Sequence, residues 1–78
     1  MITLENLKKR FEILDDKLLR SNIGDYHDRS TYSYKIRSAI DSFEKGKKSF
    51  FAEDLDELSK LMDEAENYLV RRSYPCVL

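Results

Sequence analysis

Apolar residues recur every three or four positions along most of this chain, the spacing that lays side chains on one face of an α-helix. The longest run, Phe51, Leu55, Leu58, Met62, Ala65 and Leu69, falls on one narrow stripe, widened along one edge by Phe50, Leu61 and Tyr68. Glu53, Asp56, Glu57, Asp63, Glu64 and Glu66 occupy the rest of the circumference. The pattern predicts a helix over about 50–72, with Ser49 as its cap, Arg71 and Arg72 in its last turn, and Pro75 preventing continuation. Leu58 and Met62, in mid-stripe, are expected to be buried.

A second run, Leu4, Leu7, Phe11, Leu14 and Leu18, alternates spacings of three and four without a break. It predicts a helix over about 3–22, capped by Thr3, with Glu5 in the first turn and Gly24 as a left-handed terminator. Tyr32, Ile36, Ala39, Ile40 and Phe43 share the face of a third helix, placed over about 29–46. Asp25, Asp28 and Ser30 compete for its cap, and Gly46 sits where a terminator belongs. The remaining tail, 73–78, is apolar and is expected to pack back onto the helices; its other reading is a ligand for a strand-adding domain.

The fold expected is all-α: one domain, a small three-helix bundle in which short connections make successive helices antiparallel. The runs on the first and third helices are narrow, heptad-like seams. Such seams suit coiled-coil pairing better than the broad face of a bundle helix, so a homo-oligomer is expected.

Composition narrows the functional classes. The 78 residues carry 14 basic and 15 acidic side chains, so no global charge calls for a nucleic acid or an anionic membrane. No run approaches the ~18 apolar residues of a membrane span, so no membrane role is expected. The first residues lack the basic start and apolar run of a signal peptide, and the last residues do not form a prenylation box. The single cysteine, Cys76, excludes an internal disulfide and an all-cysteine metal site, and the expected setting is the cytoplasm.

No catalytic, metal or nucleotide motif appears, and neither catalysis nor a cofactor is expected. His27 is the only histidine. Asp25 and Asp28 flank it, but without a second His or Cys it reads as a loop histidine rather than a ligand. Lys45-Gly46-Lys47-Lys48 lacks the glycine spacing of a phosphate loop and reads as a helix end. Seven acids against three bases in residues 49–78 give a net −4, opposite to the positive balance of 1–48. That acidity reads first as a solvated face complementing two basic helices, and second as a surface for a basic partner.

The most unusual stretch runs from Tyr26 to Arg37, with three tyrosines, three hydroxyl residues and three cations. Tyr34 falls opposite the core face, with Arg37 one turn on, and an exposed Tyr beside an Arg is a composition enriched in interface hot spots. Partner-binding residues are therefore expected at Tyr34, Arg37, Arg29 and Lys35. The leading expectation is a non-catalytic protein-binding module (an adaptor, inhibitor or regulator) whose protein partner the sequence does not identify. The alternative is a nucleotide or nucleic-acid binder that uses the same four residues at the start of the second helix.

Overall fold

The structure is a computed structural model and describes residues 2–73. It contains three helices: α1 (Leu4–Arg20), α2 (Tyr26–Glu44) and α3 (Leu55–Ser73). The expected packing of the apolar tail falls outside the described residues.

Each helix begins where a short polar side chain satisfies a free backbone donor. Thr3 takes an extended conformation, and its hydroxyl accepts from the Asn6 N–H at 3.2 Å. Asp25 accepts from the His27 N–H at 3.1 Å, so α2 starts three residues before the expected position. The start of α3 differs more. Ser49 is not its cap; its hydroxyl accepts from the Phe51 N–H at 3.0 Å, a local turn within the connection. Asp54 caps α3 instead, accepting from the Glu57 N–H at 2.9 Å, while Glu57 reaches back to the Glu53 N–H at 3.3 Å. An acid with a glutamate three positions on satisfies two orphan donors, and this outweighs extending the stripe by one more turn. Phe50 and Phe51 are thereby left outside the helix.

The two glycines both adopt positive φ, for different reasons. Gly46 ends α2: its N–H donates to the Phe43 carbonyl at 3.1 Å and that of Lys47 to Ser42 at 2.9 Å, a Schellman closure. Gly24 does not terminate α1, which stops at Arg20 with Ser21 extended behind it. It lies in the α1–α2 turn beneath the Tyr68 ring, where a Cβ would come within 2.3 Å of the phenolic oxygen.

Lys8 of α1 pairs with Glu44 of α2 at 2.7 Å, and Arg29 of α2 reaches the Leu18 carbonyl, so α1 and α2 run antiparallel. Tyr68 of α3 donates to Asp28 of α2 at 3.2 Å, so α3 turns back again and lies parallel to α1. Arg10 ties these two parallel helices together through Asp63 and Glu66, with Ser59 3.3 Å away.

Leu7, Phe11, Leu14 and Leu18 of α1 meet Leu58, Met62, Ala65 and Leu69 of α3, and Ile36, Ala39 and Ile40 of α2 complete the core. Leu58 and Met62 are fully buried, as the stripe requires. The two heptad-like seams therefore face inward within one chain. The surface available to a partner lies elsewhere.

Candidate functional site

The four residues named from sequence do not form one basic surface. Arg29 is 5% exposed. Its Nη1 donates to the Leu18 carbonyl at 2.7 Å, satisfying an acceptor at the end of α1. The Tyr26 ring centre lies 5.5 Å from the guanidinium carbon, and Nε has no hydrogen-bond partner among the described residues. Arg29 shares the face of Ser33 and Ile36, so it turns toward α1 rather than outward and is not a surface cation. Arg37 stays mostly exposed but is held by Asp15, 2.8 Å away. Asp15 also accepts from Ser33, so the pair belongs to the α1–α2 contact. Asp41, one helical turn beyond Arg37, pairs instead with Lys45 at 3.2 Å.

Lys35 is half-buried on the side of α2 that faces α3. It lines a recess of about 310 Å³ with Asp28, Thr31, Tyr32, Glu64 and Tyr68. A neighbouring recess of about 390 Å³ adds Asn67 and Arg71. The Tyr32 and Tyr68 rings form its floor, their centres 5.6 Å apart. Burial, reinforced by the Glu64 and Asp28 carboxylates, pushes the Tyr32 phenol above its ordinary range. Tyr68 is fixed here: its hydroxyl accepts from the Asp25 N–H at 2.9 Å and donates to Asp28.

Tyr34 is 65% exposed, on the outer face as its helical position requires. Its neighbours come from the connection at 45–54. The Phe51 ring meets Tyr34 edge to face at 5.9 Å between centres. Phe50 meets Phe51 the same way at 5.4 Å and is itself 95% exposed. Both geometries are favourable for ring quadrupoles, so the three rings form one coherent cluster. Beside it a shallow cleft is lined by Phe51, Glu57, Lys60, Leu61 and Glu64. Sequence periodicity assigned Phe50 and Phe51 to the helical stripe and so missed this patch. The available signal was Asp54 with Glu57 three positions on, a stronger helix start than Ser49.

Charge separates the faces of the molecule. Among the described residues, every ion pair between helices involves α1, through Lys8, Arg10 or Asp15. None spans α2 and α3. Arg10 occupies Asp63 and Glu66, so part of the acidic back of α3 complements α1. Glu53, Asp56 and Glu64 form no ion pair among the described residues.

His27 is exposed, and no group of three or more His, Cys, Asp or Glu converges to hold a metal among the described residues. No helix among them is long and apolar enough to cross a membrane. Compared with protein-family models, curated proteins and solved structures, the chain has no match.

Proposed function

We propose that this chain is a non-catalytic protein-binding module, serving as an adaptor, inhibitor or regulator in the cytoplasm, and that its contact surface is the cluster of Tyr34, Phe50 and Phe51. The observation that carries this reading is Phe50, 95% exposed and stacked edge-on against a second ring. Leaving a phenyl ring in water forgoes the ~1.5–3 kcal/mol that its burial would contribute. Aromatic side chains are enriched in the buried centres of protein interfaces. Tyr34 supplies a hydroxyl at the edge of the same patch, the mixed apolar and polar character that interface anchors share.

A pull-down from lysate of the native host, using wild type, Tyr34→Ala, Phe50→Ala and Arg37→Ala, tests the surface. The first two changes weaken capture by more than ~1 kcal/mol, while Arg37→Ala, already engaged with Asp15, acts less. Equal retention of a partner by all four proteins would end this reading.

A further inference from the structure

Along the chain, Phe50 and Phe51 stand between two segments of opposite charge. Lys45, Lys47 and Lys48 precede Phe50, and Glu53, Asp54 and Asp56 follow Phe51. Counted outward from the Phe50–Phe51 bond, Lys48 and Glu53 are equidistant, as are Lys47 and Asp54, and Lys45 and Asp56. Each equidistant pair is of opposite sign. All six side chains are exposed, and Lys47, Lys48, Glu53 and Asp56 form no ion pair among the described residues. Lys45 is engaged with Asp41, and Asp54 with the start of α3. The freest matched pair is therefore Lys48 with Glu53.

A segment with a cationic arm, an apolar centre and an acidic arm can pair with a second copy of itself across a two-fold axis. In such an isologous contact, residue i of one chain meets residue j of the other and the reverse. A partner charged with one sign would meet like charge on one of the two flanks. A second copy turned by the two-fold axis meets opposite charge on both.

We infer that the partner of the aromatic cluster is a second copy of this chain, docked across a two-fold axis at Phe50 and Phe51, with Lys48 of each copy facing Glu53 of the other. This rests on the protein-binding reading above and names the occupant. Burial of the two Phe50 rings supplies the affinity; the flanking charges set orientation and register, since exposed pairs contribute little energy and are weakened by salt.

Sedimentation of the full chain from micromolar to millimolar concentration at low salt tests the inference. The mass average rises with concentration from one chain toward two. Phe50→Ser stays monomeric, and an unchanged circular-dichroism melt shows that it is folded. Lys48→Glu and Glu53→Lys each weaken association several-fold, because each places like charges opposite one another twice. Mixed in equal amounts, these two variants associate again, because both contacts in the mixed dimer become attractive; this recovery needs no change at Phe50. A wild type that remains monomeric throughout, an association indifferent to Phe50→Ser, or a mixture that fails to recover each overturns the inference. Should the wild type be monomeric while Phe50→Ala loses capture of another protein, the protein-binding reading survives and the second copy is excluded.

Discussion

Gly24 and Arg29 show how single residues are set by neighbours far away in sequence. At Gly24 the backbone has φ +66°, and the space a Cβ would need is filled by Tyr68. Gly24→Ala meets both penalties, so a loss of about 1–3 kcal/mol is expected, read as a lowered melting temperature. Tyr34→Ala removes an exposed ring, and its melt stays within about 0.5 kcal/mol of wild type. Tyr32 gives a pH signature. Its folded pKa lies above the ordinary tyrosine value, so its contribution is intact below about pH 10 and is lost as pH rises through the folded value. Denaturant titrations on both sides of that pH should show Tyr32→Phe losing less stability than wild type. The burial of Arg29 was legible in the spacing but overlooked because of its charge. Arg29 lies seven positions before Ile36, on the core face of α2, so the spacing places it inward whichever residue starts the helix; its charge is what made it read as a surface cation.

Among the elements, α1 was the most legible, because its cap and its seam agree about where it starts and which side it buries. The closure of α2 at Gly46 was equally legible, since a left-handed position selects glycine. In α3 two local signals conflicted. The apolar spacing continues upstream to Phe51, but Asp54 with Glu57 makes the better start, and hydrogen bonding at the cap prevailed over periodicity. Asp54→Ala should therefore cost about 1 kcal/mol in denaturant unfolding and reduce helical circular dichroism near the start of α3. The aromatic cluster was hidden for the same reason: residues counted into a stripe cannot also be counted as surface.

For the whole molecule, the all-α class and the three-helix count follow from periodicity, while the pairing of faces does not. Three amphipathic helices can close around one core or share seams between chains. Here the parallel alignment of α1 with α3 lets both seams meet within one chain. Leu58 lies fully buried at that meeting. Leu58→Ala leaves a cavity, and about 2–5 kcal/mol is expected to be lost, enough to melt much of so small a domain. A melting curve matching wild type would contradict the inward packing of the α3 stripe.

The grip of Tyr68 on the α1–α2 turn also determines how the backbone breathes. The N–H that begins a helix has no partner within the helix and ordinarily exchanges with solvent in local fluctuations. The Asp25 N–H instead donates to a hydroxyl carried by α3. Exchange there requires the Tyr68 hydroxyl to let go, so this amide should be protected above an ordinary helix-start N–H. In Tyr68→Phe the same amide should exchange at the rate of a frayed helix end, while the core amides keep a common, slower rate.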